Sequence, residues 1–291
     1  MTKTVIVTGA NSGLGFETTK QLVALPSDYQ VIMACRNLTK ANAARDEILQ
    51  AVPAAQLVCL ALDTSSLASV RSFVAAFKQL GLPLAGLICN AGIAGRTVAT
   101  TADGFNNIFE TNYLGHFLLT QLLLPLMTDD GRIVTVTSER HDAPLAGVAW
   151  PGAEALAYVG RDAAIDPLSY SFSKLCMIMF AYALKRQLNA AGRGIAVNTV
   201  NPGLMVETGL SKDKSRFTPA MKARFANLIG TAKDSAKMIT DLMTAAQFAA
   251  GPVQYFDRRS DRPVDSSKLS YDEQAQKELW DFSMKAVGLA N

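Results

Sequence analysis

Apolar residues in this chain fall into short unbroken runs, separated by longer stretches in which they recur every three or four positions. The runs Thr4–Ala10, Gln30–Arg36, Gln56–Asp63, Leu84–Gly92, Gly131–Ser138, Ile195–Gly203 and Val253–Asp257 are rich in Val, Ile and Leu and show no polar alternation. Strands covered on both faces read this way. Between them the helical period predicts helices over Gly13–Leu25, Thr39–Val52, Ser66–Leu80, Gly104–Met127, Leu168–Ala191 and Ser235–Gln247, with a last one over Tyr271–Gly288. Strand–helix alternation along the whole chain predicts an α/β fold: a single domain over residues 1–291, built on a doubly wound parallel sheet of about seven strands flanked by helices.

Two segments break the rhythm. Residues 139–166 carry Pro144, Pro151 and several glycines; residues 204–227 carry Lys212, Asp213, Lys214 and Arg216. Both are longer than ordinary strand-to-helix connections, and both leave from the carboxyl ends of strands, where open α/β sheets bind ligands. They are expected to be an insert and a substrate lid within the one domain. Apolar members such as Leu204, Met205, Leu210 and Trp150 suggest an apolar substrate.

Composition narrows the function classes. Apolar residues make up 49% and charged residues 18% of the 291, which suits a compact enzyme. A net charge of +3 without a basic run argues against nucleic acid or a membrane surface as partner. Cys35, Cys59, Cys89 and Cys176 form no CxxC, and His116 and His141 are far apart, so neither a disulfide framework nor a metal site is expected. Buried thiols in a reducing compartment fit better. The chain enters a strand directly, with no secretory leader, and its longest apolar stretch, Phe117–Met127, is broken by Pro125 and is too short to span a bilayer. A cytoplasmic protein is expected.

The first strand runs into TGANSGLG, with Gly9, Gly13 and Gly15 between a strand and a helix. That is the setting of a dinucleotide-binding turn: glycines let backbone approach a pyrophosphate, and the helix N-terminus supplies N–H donors. The turn residues Gly9, Asn11, Ser12, Gly13, Leu14 and Gly15 are therefore candidate cofactor contacts. The second strand ends in Arg36 and Asn37, where an NAD reader would place an acid. An arginine there can hold a 2′-phosphate, which favours NADP(H). Asp63, with Thr64, ends the third strand near the expected adenine. Asn90, Ala91 and Gly92 end the fourth strand with small residues beside the adenosine.

Tyr170 and Lys174 lie four apart at the start of a long helix, hence on one face. Ser138 ends the fifth strand, Asn112 lies in TNYLGHF within the helix after the fourth, and Asn201, Pro202 and Gly203 end the sixth. In this order the motifs resemble the short-chain dehydrogenase/reductase family, and the resemblance spans nearly the whole chain. It implies a Rossmann-type fold and hydride transfer between nicotinamide C4 and a carbonyl or alcohol. It implies Tyr170 as acid/base, Ser138 on the substrate oxygen, Lys174 on the nicotinamide ribose and Asn112 holding a water that links Lys174 to solvent. Pro202, Gly203 and Thr208 join the cofactor contacts, and no metal is needed. A homodimer or a monomer is expected: relatives pair through the long helices containing Asn112 and Tyr170, and the insert could block that surface.

The motifs VIMACRN, LDTSSLASVRSF and TNYLGHFLL, and the C-terminal SSKLSYDEQAQKELWDFSMKAVGL, resemble the branch of retinol-dehydrogenase-like reductases and light-dependent protochlorophyllide oxidoreductases. Leu204 stands where the pigment enzymes typically carry cysteine, and Ser171 and Phe172 also depart from their pattern. Pigment reduction is thus an alternative, as is a non-catalytic NADP(H)-binding sensor on the same fold.

Overall fold

A computed structural model describes residues 2–26, 29–95, 98–210, 217–226, 228–260 and 262–290. The charged residues Lys212, Asp213, Lys214 and Arg216 of the expected lid lie outside the described residues.

Eight strands form one sheet: β1 (Lys3–Thr8), β2 (Tyr29–Cys35), β3 (Gln56–Ala61), β4 (Leu84–Cys89), β5 (Met127–Val136), β6 (Ala196–Asn201), β7 (Tyr255–Asp257) and β8 (Pro263–Val264). Their order is β3-β2-β1-β4-β5-β6-β7-β8, and all pair in parallel except β8, which runs antiparallel to β7. The order reverses between β1 and β4, the switch point at which such sheets bind ligands. The expected sheet of about seven strands is borne out, with one short strand beyond the seven read from the sequence. The added strand is two residues long and begins with proline, which can sit only at a sheet edge and leaves no periodic trace.

The helices are α1 (Gly13–Val23), α2 (Leu38–Ala51), α3 (Leu67–Gln79), α4 (Asn107–Phe109), α5 (Gly115–Leu123), α6 (Ala153–Ala157), α7 (Ser169–Ala190), α8 (Pro219–Arg224), α9 (Ala232–Thr244) and α10 (Glu273–Ala286). Alternate strand residues feed two cores. Ile6 and Ile32 face α3, α5, α7 and α10, whereas Val5, Val7, Val31 and Met33 face α1, α2 and α9. Both faces are dry, which is why the strands read as continuous apolar runs.

The predicted helix Gly104–Met127 is broken in an instructive way. A π-turn, Glu110–Leu114, joins α4 to α5, and the chain leaves through a short 3₁₀ turn at Leu124–Leu126 before β5 begins at Met127. Pro125 has no N–H to continue the helix. The π-turn has tertiary causes: Asn112 is bonded to a neighbouring loop, and Gly115 lies so close to the Thr64 carbonyl that a Cβ would collide with it.

The insert is packed. Leu145, Ala153, Leu156, Ala157 and Ile165 are buried in the core shared with α7. Trp150 was expected near the substrate; instead its ring meets Phe172 edge-on and its indole N–H donates to Glu278 Oε2 at 2.7 Å, bracing α7 against α10. The outer face of α5 and α7 is covered by α10: Trp280 packs on Phe117 and Phe180, with ring centroids 5.2 and 6.1 Å apart, and Tyr113 Oη pairs with Ser283 Oγ at 2.7 Å. No helix among the described residues is long and apolar enough to cross a membrane.

Candidate active site

The carboxyl ends of β1, β4, β5 and β6 bring the candidate residues together. At the end of β1 the chain turns through Gly9 (φ +67°) and Gly13 (φ +54°), left-handed conformations that favour glycine. A Cβ on Gly15 would run into the Gly9 carbonyl and the Asn90 amide. Ser12 precedes α1 with extended backbone and makes no side-chain cap, which leaves the first N–H groups of α1 aimed out of the turn. Thr208 closes over this turn: its Cγ2 would lie 3.2 Å from a Cβ on Gly13. Leu14 points into the core, so only its backbone faces the turn. The result is a cradle of backbone donors that any side chain would fill, which fits a dinucleotide pyrophosphate.

The floor of the cradle is held by Thr8. Its Oγ1 accepts from the backbone N–H of Asn90 and of Ala91, both at 2.8 Å, and its carbonyl accepts from Asn90 Nδ2 at 2.7 Å. Further along, the Arg36 side chain is 73% exposed, with its guanidinium 4.0 Å from Asp63 Oδ2. Asp63 is otherwise occupied with the Ser65 N–H and hydroxyl, at 3.0 and 2.6 Å. The Asn37 side chain caps α2, accepting from the Lys40 N–H at 2.9 Å, so its expected cofactor contact would have to come from its remaining groups. Thr64 is buried against Gly115 and shapes this wall through its backbone.

Across the switch point, Tyr170 is half-buried at the start of α7. Burial raises its pKa; the Ser138 hydroxyl and the Arg140 guanidinium pull it back, and Glu139 opposes them. At neutral pH it is a phenol. Lys174 Nζ sits 5.9 Å from the centre of the Tyr170 ring, is 4% exposed, and donates to the Val136 carbonyl at 3.1 Å. Burial lowers its pKa to about 8. Gly92 brings bare backbone beside it: a Cβ there would stand 3.5 Å from Lys174 Nζ. Gly203 (φ +78°) and Pro202 lie at the end of β6, fixed by Asn201 Oδ1 on the Gly203 N–H and by Ser235 Oγ on the Pro202 carbonyl.

Asn112 is tied into the surrounding loops. Its side chain is largely engaged: Oδ1 accepts from the Ile93 N–H at 2.8 Å, and Nδ2 donates to the Ile93 carbonyl and to Ser173 Oγ at 3.0 and 2.9 Å. Ser173 Oγ in turn donates to the Tyr170 carbonyl at 2.8 Å. Asn112 therefore clamps the π-turn to α7.

Sequence reasoning missed several supports. His141 is buried; its Nδ1–H donates to the Ser138 carbonyl at 2.7 Å, and its Nε2 accepts from the Ser267 N–H at 3.2 Å. It ties the candidate serine to the segment before α10. Arg140, two residues after Ser138, lies close enough to Tyr170 to lower its pKa. Glu110, on the π-turn, is wholly buried with both oxygens outside hydrogen-bonding geometry. Its pKa is raised to about 7, chiefly by burial, with the Thr101 hydroxyl lowering it and Asp103 and Asp63 raising it further. All four cysteines are free, three buried and Cys59 half-buried. Among the described residues no cluster could hold a metal ion.

This arrangement has known counterparts. Residues 3–153 match the family described as short chain dehydrogenase. A polyprenol dehydrogenase of Danio rerio is 35% identical over 295 aligned residues, covering 99% of this chain and 87% of that protein. The WW domain-containing oxidoreductase of Gallus gallus is 38% identical over 72% of this chain, but the match spans only 51% of that protein. Among solved structures, an uncharacterized protein of Mycobacterium paratuberculosis superposes with a TM-score of 0.74 at 31% identity, over 98% of this chain and 93% of the other. With the glycine turn, the eight-stranded sheet and the Ser138–Tyr170–Lys174 grouping in agreement, the chain belongs to the short-chain dehydrogenase/reductase family.

Proposed function

We propose that the protein is an NADP(H)-dependent oxidoreductase that interconverts an apolar carbonyl compound and its alcohol, with Tyr170 as acid/base. The observation that carries this reading is the meeting of Ser138, Tyr170 and Lys174 opposite the glycine cradle, with the bare backbone of Gly92 between them. NADP(H), when bound, supplies or accepts the hydride at nicotinamide C4. Arg36 supports the choice of cofactor: it is exposed at the end of β2, which itself carries no acid, and its long 4.0 Å pairing with Asp63 leaves donors that a 2′-phosphate could take.

In the reducing direction the substrate carbonyl oxygen sits between the Ser138 and Tyr170 hydroxyls. Ser138 donates a hydrogen bond that strengthens as negative charge grows on that oxygen. Tyr170, protonated at neutral pH, gives its proton to the forming alkoxide, and solvent later restores it. Lys174⁺ and Arg140⁺ stabilise the phenolate left behind. Lys174 also reaches the expected nicotinamide ribose. Because burial holds its pKa near 8, the ammonium is present below that pH and lost above it. Reduction is therefore favoured on the acid side of pH 8.

The substrate class is supported by the half-buried Leu204 that follows Gly203 and by the 35% identity to a polyprenol dehydrogenase over almost the entire chain. The covering of α5 and α7 by α10 supports a monomer, since it occupies the helices through which relatives pair. Free thiols support a reducing compartment such as the cytoplasm.

The test is turnover in the dark with NADPH and a panel of aldehydes, ketones and isoprenoid alcohols or aldehydes. Tyr170→Phe should lower kcat by roughly 10²–10⁴-fold, the usual worth of a general acid. Tight NADPH binding without turnover of any panel member would point to a sensor, and turnover only of an illuminated pigment to a pigment reductase.

A further inference from the structure

His116 is a wholly buried ionisable residue that the proposed chemistry does not use. Packing alone does not call for an imidazole in this place, since phenylalanine or leucine would fill the same space. Its two nitrogens have directed partners. Nδ1 lies 3.1 Å from the Asn112 carbonyl oxygen, which can only accept, so Nδ1 carries the proton. Nε2 lies 2.9 Å from Thr8 Oγ1. That hydroxyl already accepts from the Asn90 and Ala91 N–H groups, which fill its two lone pairs, so its own hydrogen must point outward. The other acceptor within reach, the Ile88 carbonyl, is farther away at 3.3 Å. The short contact to Nε2 is therefore a Thr8 hydroxyl donating to a neutral ring. Burial and the Lys174 ammonium both disfavour a second proton on that ring and lower its pKa to about 4.

The two ends of this path lie in different parts of the site. Thr8 sets the backbone of Asn90 and Ala91 on the cofactor side. The Asn112 carbonyl belongs to the π-turn whose side chain clamps Ile93 and Ser173, and Ser173 holds the first turn of α7 at Tyr170. We propose that His116 is a positioning residue: a neutral, Nδ1-protonated imidazole that ties the cofactor-binding ends of β1 and β4 to the π-turn supporting the acid/base tyrosine. The cofactor floor and the proton donor are thereby held in one register. The role in turnover rests on the oxidoreductase reading above; the link itself does not.

The experiment uses the full chain and takes the tautomer first. The sequence holds two histidines, so the imidazole ¹⁵N–¹H correlations are few, and a His116 variant assigns them. The expected signature is a neutral ring protonated at Nδ1 and unchanged from pH 5 to pH 8. An Nε2-protonated ring, or one titrating near its ordinary pKa of about 6.5, overturns the proposal. Two variants then separate the arms. In His116→Asn the short amide keeps a donor near Nδ1 and loses Thr8. It should weaken NADPH binding up to about tenfold, with a smaller loss of kcat. In His116→Gln the longer amide reaches Thr8 and frees the Asn112 carbonyl. It should lower kcat up to about tenfold, with a smaller loss of affinity; each effect is the size of one hydrogen bond. A His116→Phe variant that matches the parent in both quantities overturns the proposal, as does an equal loss in both amide variants. If the variants do not fold, the parent's tautomer still decides. If the parent turns over no carbonyl compound, the tautomer and the NADPH affinity of His116→Asn still test the link.

Discussion

The two halves of the site are built by different rules. On the cofactor side, at the ends of β1 and β4, backbone and side-chain groups are paired in fixed directions through Thr8; a carbon added at Gly15 would collide, and one at Gly9 or Gly13 would be tightly crowded. On the proposed substrate side, Leu204 to Val206 are half-buried, Glu207, Gly209 and Leu210 are exposed, and a Cβ on Gly209 would meet open space. A ligand of constant shape can be met by backbone, which leaves no freedom to vary. A ligand that differs among relatives is met by side chains on a segment that tolerates change. Precision in one half and tolerance in the other follow from that division.

Substitutions can break or sharpen the contrast. The largest effect is expected at Gly15→Ala, where the new methyl group overpacks against the Gly9 carbonyl and Asn90. Overpacking of this kind costs about 1–3 kcal/mol, so NADPH affinity should fall roughly 10–100-fold, with a lowered melting temperature, checked by calorimetry and thermal unfolding. Arg36→Leu comes next. Losing a charge-assisted bond to a 2′-phosphate costs about 1.5 kcal/mol or more, so NADPH Kd should rise about tenfold while NADH Kd stays constant. Equal changes for the two cofactors would refute the assignment of Arg36.

Glu110→Gln probes an exception on the ordered side, a buried carboxyl without a hydrogen-bond partner. Its pKa rises from 4.5 to about 7 on folding, so the folded state keeps a proton that the unfolded chain releases within that window. Stability therefore falls as pH rises from 4.5 to 7, and the penalty is complete above pH 7. The variant should gain about 1–3 kcal/mol over the parent at pH 8 and little at pH 4.5, read from denaturant unfolding at the two pH values. The smallest effect is expected at Gly209→Ala: less than about 0.5 kcal/mol in stability, with unchanged NADPH affinity, any change being confined to substrate KM.

The same contrast governs what could be read from the chain beforehand. β2 was legible because both faces of Val31 to Cys35 are covered, and α7 because its buried stripe is long. β8 was not, because two residues at a sheet edge carry no period. The π-turn was not, because its causes, Thr64 against Gly115 and Ile93 against Asn112, come from other segments. Within the site, Tyr170 and Lys174 show a local spacing, whereas Ser138 was legible only through the order of motifs that resembles the family. The structural partners of Asn37 and Trp150, the Lys40 N–H and Glu278 respectively, were not legible from residue type and position alone. His116 and His141 stayed silent because their partners Thr8 and Ser267 lie 108 and 126 positions away.

The cover that α10 places on α5 and α7 has a consequence for synthesis. A growing chain leaves the ribosome in order, so Phe117 and Phe180 emerge long before Trp280. Through that interval the nascent protein carries an apolar face with nothing to shield it, the kind of surface that chaperones hold and that aggregates when they do not. The helix bearing Tyr170 and Lys174 is thus among the earlier-made parts of the core to wait for its outer covering, and a ribosome stalled short of Trp280 would display that face.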